Sequence, residues 1–323
     1  MNIRIEPPDE RIIAEAAERL GSGRVVGMPT ETVYGLAGST FDADALELIY
    51  RMKGRPSDNP LIAHVLDIDG ARSITSGWDD RCDRIAAAFW PGPMTMVLER
   101  SRDVPPVASG GRASIAVRSP RHPVSRTLLS TFGGPLSAPS ANRSGSVSPT
   151  TARHVHDEFE SFGDESDLLV IDGGSCDIGI ESTVIDLTGG CVRILRPGSV
   201  TREMLQDVVG TVEDSTPMEQ GDSPGTRSRH YATSTPIRIV GTASEIRTAA
   251  SGHEQVAVIT TSDAAGFEHV FRLPDDPTGY AEGMYAAMRR ADGTGSELIV
   301  MECPGDGPSW RAIRDRLVRA STD

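Results

Sequence analysis

The sequence predicts an α/β protein of two units joined by a linker. Three observations carry that reading. Short apolar strands alternate with amphipathic helices along most of the chain. Its 323 residues suit about two domains rather than one. Residues 213–236 break the alternation with a stretch rich in Ser, Thr, Pro and Gly. The expected organisation is a catalytic unit over 1–212, a linker over 213–236, and a small α/β unit over 237–323 whose alternation implies a mainly parallel sheet.

In the first unit, Ile12, Ile13, Ala16 and Leu20 recur at helical spacing, so Glu10–Leu20 is a helix stopped by Gly21-Ser22-Gly23. Arg24–Met28 is a short buried strand. It runs into Pro29-Thr30-Glu31-Thr32-Val33-Tyr34-Gly35-Leu36, a loop at a sheet's edge whose Thr30 and Thr32 either bind a ligand or cap the turn. Asp44–Met52 is a helix and Leu61–Leu66 a strand containing His64. Asp79–Phe89 is a helix, and Trp90-Pro91-Gly92-Pro93 turns rigidly into the strand Met94–Leu98. In Gly110–Pro120 the alternation puts Ser114, Ala116 and Arg118 on one face and Ile115 and Val117 on the other. Ser114 and Arg118 are therefore expected to face one cleft.

A helix begins at His122–Leu129, and Pro135–Ala138 is a short strand. The hydroxyl-rich loop to Thr150 offers Ser140, Asn142 and Ser148 as donors. Ser148-Pro149-Thr150 reads as the cap of the next helix, whose N–H groups would suit phosphate. A strand at Leu168–Ile171, a turn then strand over Gly179–Leu187 and a strand at Val192–Leu195 lead to a helix at Thr201–Val208 capped by Thr201. The second unit is expected to hold strands at Ile237–Val240, Gln255–Thr260 and Glu297–Met301. Helices are expected from Ala243, around Thr278–Arg290 and at Pro308–Ala320. Its glycines form no dinucleotide-binding G-x-G-x-x-G turn. Within the linker, Arg227, Arg229, His230 and Tyr231 are more decoration than a spacer needs, and suggest a lid.

Composition narrows the function. The net charge of −14 argues against a strong nucleic-acid footprint, which needs a basic face. No apolar run reaches the roughly 20 residues that span a bilayer, and the polar, acidic N-terminus is not a signal peptide, so a cytoplasmic protein is expected. Cys82, Cys176, Cys191 and Cys303 form no C-x-x-C and are expected to be reduced thiols. His154 and His156 diverge on a helix, and no side-chain cluster points to a metal.

An anion site must then concentrate cations locally against the overall sign. Lys53 is the only lysine among 32 Lys+Arg residues. It opens the loop Lys53-Gly54-Arg55-Pro56-Ser57-Asp58-Asn59-Pro60-Leu61, at a helix C-terminus that favours cations. Lys is a compact point charge that Arg does not replace at a phosphate, and two prolines stiffen the loop beside Arg55. The competing reading is a solvated turn.

Several motifs in a fixed order resemble the YrdC family in its long, two-domain form. They are the segment Pro29–Leu36, the loop Lys53–Leu61, Pro139-Ser140-Ala141-Asn142, Ser148-Pro149-Thr150, Glu181-Ser182-Thr183-Val184, Leu195-Arg196-Pro197-Gly198 and the linker His230-Tyr231. The resemblance implies a twisted mixed-sheet domain followed by a small Rossmann-like three-layer α/β domain. It implies synthesis of L-threonylcarbamoyl-adenylate from L-threonine, bicarbonate and ATP, with pyrophosphate released and Mg²⁺ accompanying ATP. The product would feed a downstream tRNA-modifying transferase complex acting on the adenosine beside the anticodon. By the same resemblance Thr30, Thr32, His64, Arg118, Ala138 and Ser182 surround threonine. Lys53, Ser57, Ser114, Ser140, Asn142, Ser148, Arg196, His230 and Tyr231 surround ATP, and Lys53, Arg55 and Arg118 carry the catalytic charge. Thr226 and Ser228 depart from the family's usual Met and aromatic in the linker. The alternatives are a carbamoyl transferase forming carbamoyl-adenylate, whose zinc-finger and acylphosphatase-like modules are not found here, and a double-stranded RNA binder.

Overall fold

The computed structural model describes residues 2–160, 162, 167–215, 230–303 and 305–321. The linker positions Thr226 and Ser228, and with them most of the expected lid, lie outside the described residues.

The first unit is built on one mixed sheet of twelve strands. Its strands are β1 (Asn2–Glu6), β2 (Val26–Met28), β3 (Gly35–Ser39), β4 (Ile62–His64), β5 (Thr75–Ser76), β6 (Met94–Arg100), β7 (Ser114–Arg118), β8 (Leu136–Ser137), β9 (Asp167–Ile171), β10 (Thr183–Asp186), β11 (Val192–Arg196) and β12 (Val212–Asp214). They lie in the order β1-β9-β2-β3-β8-β4-β7-β6-β10-β11-β12, with β5 paired to β6. Its helices are α1 (Glu10–Gly21), α2 (Ala43–Lys53), α3 (Ile68–Ile74), α4 (Asp80–Phe89), α5 (Pro123–Phe132), α6 (Ala152–Phe159) and α7 (Arg202–Val209).

The helix ends follow local chemistry. Asp9, Asp42, Asp67 and Asp79 each accept from backbone N–H groups one turn on, as N-caps do. α2 ends because Gly54 takes a left-handed conformation, φ 58°. α6 is capped by Thr151, whose side chain accepts from His154 N, and not by Ser148-Pro149-Thr150 as the sequence suggested.

Two cores sandwich part of this sheet. On one side α1 and α5 bury Ile12, Leu20, Leu128 and Leu129 against Met28, Leu136 and Ile171. On the other side α2, α4, α6 and α7 contribute Leu46, Ile49, Ile85, Val155 and Leu205, packed on Ala63, Met96, Val117, Ile185 and Ile194. Because side chains alternate along a strand, Ile62, Val97, Ala116, Val184 and Leu195 point away from that second core and form a small apolar floor of their own. The candidate site rises from this floor.

The second unit has four parallel strands, β13 (Ile237–Val240), β14 (Val256–Thr260), β15 (His269–Arg272) and β16 (Leu298–Glu302), in the order β13-β16-β14-β15. Helices α8 (Ile246–Ala249), α9 (Pro277–Asp292) and α10 (Arg311–Ala320) cover it. Its core is continuous with the first unit. Tyr280, Met284, Tyr285 and Ile313 share one buried cluster with Val33, Val147, Ile180 and Tyr231.

The expected two-unit mixed and parallel architecture is present. β1, β3, α3, β5, β12 and β15 were not anticipated. β3 was read as loop because its sequence, Gly-Leu-Ala-Gly-Ser, is poor in β-branched residues. β12 pairs with β11, so the first sheet reaches Asp214, slightly past the expected boundary at 212. All four cysteines are free. No helix among the described residues is long and apolar enough to cross a membrane.

Candidate functional site

Strand register assembles the site. Pairing of β4 with β7 sets Ile62 opposite Ala116 and His64 opposite Arg118. Both pairs point to the open face. β8 lies on the other side of β4, and beyond it the chain runs through Ala138, Pro139 and Ser140. A narrow cavity of about 50 Å³ remains where these strands meet the loop carrying Thr30 and the segment holding Glu181, Ser182, Arg196, His230 and Tyr231.

Arg118 is almost wholly buried and fully engaged. Its Nε donates to Gly92 O at 3.1 Å and its Nη1 to Thr32 Oγ1 at 2.8 Å. Its Nη2 lies 2.7 Å from Glu31 Oε1. That last contact is a charge pairing without hydrogen-bond alignment, since neither Glu31 oxygen nor Arg118 Nη2 has a hydrogen-bond partner. Burial alone would raise the Glu31 carboxyl, but the Arg118 charge overrides it and holds it below its ordinary range. Beside this pair, burial and the Arg118 charge push the His64 imidazole down to about 3, so it is neutral near pH 7. Thr30 has both roles considered for it. Its hydroxyl donates to Val33 O at 2.6 Å, closing the turn, and the side chain also lines the cavity.

Lys53 sits behind this wall. It is 1% exposed, and its Nζ donates to the backbone carbonyls of Ser140 and Asn142. Burial, and then the nearby Arg55 charge, push its ammonium well below its ordinary value. Arg55 reaches the cavity and braces its own loop, with Nε to Asn59 O at 3.0 Å and Nη2 to Pro60 O at 2.8 Å. On the opposite wall Arg196 donates through Nε and Nη2 to Ser182 O, at 3.2 and 3.0 Å, and burial lowers its pKa. Ser182 Oγ shares a 2.7 Å hydrogen bond with Thr95 Oγ1.

Thr30, Thr32, Arg55, His64, Arg118, Ala138, Ser140, Ser182, Arg196, His230 and Tyr231 thus line one cavity. The other expected site residues do not line it. Lys53 lies beneath it. Ser57 is exposed on its loop. The Asn142 amide is turned onto its own loop, donating to Arg143 O and Ser146 O. Ser148 is fully buried and donates to Glu181 Oε1 at 2.6 Å. Ser114 does share a strand face with Arg118, but four residues of strand, roughly 13 Å, separate them. It opens into a second cavity of about 280 Å³ with Arg112, Asp186, Thr188 and Arg193.

Sequence reasoning missed Glu31, Glu181, Tyr285 and Arg316. The carboxylates stood inside motifs already singled out, where a charge flanked by hydroxyls and apolar residues signals a buried pair. Arg316 and Tyr285 lie in the second unit, where no site was expected. Each carboxylate faces an arginine, Glu31 opposite Arg118 and Glu181 opposite Arg316. The one metal-like group among the described residues, His156, Asp157 and Glu160, lies away from the cavity at the end of α6.

Comparison with known proteins identifies the family. Residues 18–198 match the Sua5/YciO/YrdC family model, described as telomere recombination, and residues 200–322 match the model of the threonylcarbamoyl-AMP synthase C-terminal domain. The threonylcarbamoyl-AMP synthase of Pyrococcus abyssi is 36% identical over 335 residues, covering 99% of this chain and 97% of that protein. That of Bacillus subtilis strain 168 is 35% identical over 324 residues, covering 96% and 92%. The crystal structure of P. abyssi Sua5 complexed with L-threonine superposes with a TM-score of 0.90 at 35% identity, covering 99% of this chain and 97% of that one. The chain belongs to the Sua5/YciO/YrdC family, in its two-domain form.

Proposed function

We propose that this protein joins L-threonine, bicarbonate and ATP into L-threonylcarbamoyl-adenylate and releases pyrophosphate. The observation that carries the reading is the meeting of His64, Arg118, Ser182 and Arg196 around one buried cavity, in a chain that matches threonylcarbamoyl-AMP synthases from end to end. The threonine amine adds to bicarbonate, losing water to give a carbamate. A carbamate oxygen then attacks the α-phosphorus of ATP, and the bond to pyrophosphate breaks. No nucleophile–base pair is required, so catalysis rests on positioning and on charge stabilisation.

Arg118, with Thr32 and Ser182 beside it, would hold the threonine carboxylate. Arg55 and Arg196 would face the phosphates, with Lys53 supporting the wall of Ser140 from behind. Ser114, in its neighbouring cavity on the same sheet face, would contact a more distant part of ATP. Mg²⁺ would enter as part of the nucleotide substrate, carried by the phosphate oxygens. The product is a reactive mixed anhydride, suited to an enzyme that transfers the threonylcarbamoyl group to tRNA.

Incubation with ATP, Mg²⁺, bicarbonate and each amino acid in turn tests the reading. Pyrophosphate and an adenylate should appear with threonine and require bicarbonate. Pyrophosphate release independent of any amino acid would refute it.

A further inference from the structure

The second unit carries an arginine that reaches into the wall of the first. Arg316, on α10, is 0% exposed. Its Nε donates to Glu181 Oε2 at 3.1 Å, its Nη2 to Glu181 O at 3.4 Å and its Nη1 to Pro197 O at 2.6 Å. One guanidinium therefore grips both chain segments whose next or previous residue forms the cavity wall: Ser182 follows Glu181, and Arg196 precedes Pro197.

The two segments are themselves in contact. A Cβ at Gly198 would meet Thr183 N at 2.3 Å. From the same unit, Tyr285 on α9 donates to Glu181 Oε2 at 3.0 Å, and its ring stacks on Tyr231 with centroids 5.6 Å apart. Gly179 lies so close to α9 that a Cβ there would meet Ala281 O at 2.4 Å. The contact is wider than an ordinary salt bridge needs, and it ends at the residues facing the cavity.

We propose that Arg316 is a positioning residue of the synthase, fixing Ser182 and Arg196 through Glu181 and Pro197, and that the second unit thereby completes the active site. The inference rests on the proposed synthase activity. A planar fork reaches two carbonyls and a carboxylate at once, and a lysine cannot. Arg316→Lys keeps the charge opposite Glu181 but gives up the reach to Pro197.

The experiment measures threonine- and bicarbonate-dependent pyrophosphate release by the full chain, with KM for threonine and for ATP, kcat, and the thermal midpoint. Arg316→Lys should raise the threonine KM at least tenfold at a temperature well below its midpoint, which is expected to fall because buried carbonyls lose their donor. Tyr285→Phe, which removes one hydroxyl and keeps the ring, should raise it several-fold and serves if the lysine variant fails to fold. In a cycle with Glu181→Gln, the Glu181→Gln/Arg316→Gln pair should be no worse than Arg316→Gln alone, as expected of residues acting as one unit. An active wild type whose Arg316→Lys and Tyr285→Phe variants fold and keep KM and kcat within twofold would overturn the inference and leave the synthase reading standing. A wild type without threonine-dependent release would overturn both.

Discussion

The Glu31–Arg118 pair permits a test that separates stability from binding. Both side chains are at most 4% exposed. Arg118→Met keeps the apolar stem and removes the charge, leaving the Glu31 carboxylate buried and unpaired. Breaking a buried pair from one side costs about 3–5 kcal/mol. For a unit of this size that lowers the thermal midpoint by ~6–20 °C, at about 2–4 °C per kcal/mol. Adding Glu31→Gln removes the stranded charge, so the double variant should recover most of the midpoint. Threonine binding should recover in neither, because hydrogen bonds to a charged group contribute roughly 1.5–3 kcal/mol each, or about 10- to 150-fold in affinity. Scanning calorimetry and titration calorimetry with threonine read the two effects separately. Wild-type threonine affinity in Arg118→Met would refute the clamp. A double variant as unstable as the single would refute the pair.

Four further outcomes are expected. Lys53→Ala, which removes the support behind the Ser140 wall, should lower threonine- and bicarbonate-driven ATP–pyrophosphate exchange while circular dichroism stays native, and near-normal exchange would remove its role. Glu181 has its carboxyl held at about 2 against an ordinary 4.5, the charges of Arg316 and Arg196 outweighing burial. A depressed folded value contributes stability that is present above pH 4.5 and lost as pH falls toward 2. Glu181→Gln should therefore show a flatter midpoint-versus-pH curve across that window than the wild type, and parallel curves would contradict the assignment. The His64 ring should show no protonation by NMR between pH 5 and 8, since its folded value is pushed down to about 3; a midpoint near 6.5 would place it in solvent. Finally, the hydroxy acid that lacks threonine's amine should compete poorly against threonine, and equal competition would show that the pocket reads only a carboxylate.

What the sequence made legible was chemistry at the level of motifs. Periodicity found the strand carrying Arg118 and the correct side chains on each of its faces. It could not find the register of β4 against β7, which alone brings His64 beside Arg118. Ser114 shows the limit of period-2 reasoning, because a shared face does not mean a shared cavity when Ala116 and Ile62 stand between. Ser148 and Asn142 were chosen as ligand donors in a hydroxyl-rich loop, yet hydroxyl and amide are turned onto protein partners, Glu181 Oε1 and Arg143 O. Glu181 and Arg316 are 135 residues apart in sequence, and no local pattern announces such a pair. The two units looked separable because the linker's composition changes sharply. Contact between α9 and the Gly179 turn is a property of the folded surface alone.

The site's charges are arranged in two ways, and the difference bears on what each part can hold. Arg118 lines the cavity and is paired with the Glu31 carboxylate buried behind the lining, so that corner is near neutral overall. Lys53 Nζ, Arg55 Nε and Arg196 Nη2 each donate to backbone carbonyl oxygens, whose dipoles favour a cation. Arg55 and Arg196 line the cavity and stay cationic, so at low dielectric their charge acts most strongly on a polyanion. An acidic protein can thus present a local positive field to a triphosphate while holding an amino acid of no net charge next to it. Arg316 is paired with Glu181 and Asp315, and its part is to fix the wall that carries Arg196.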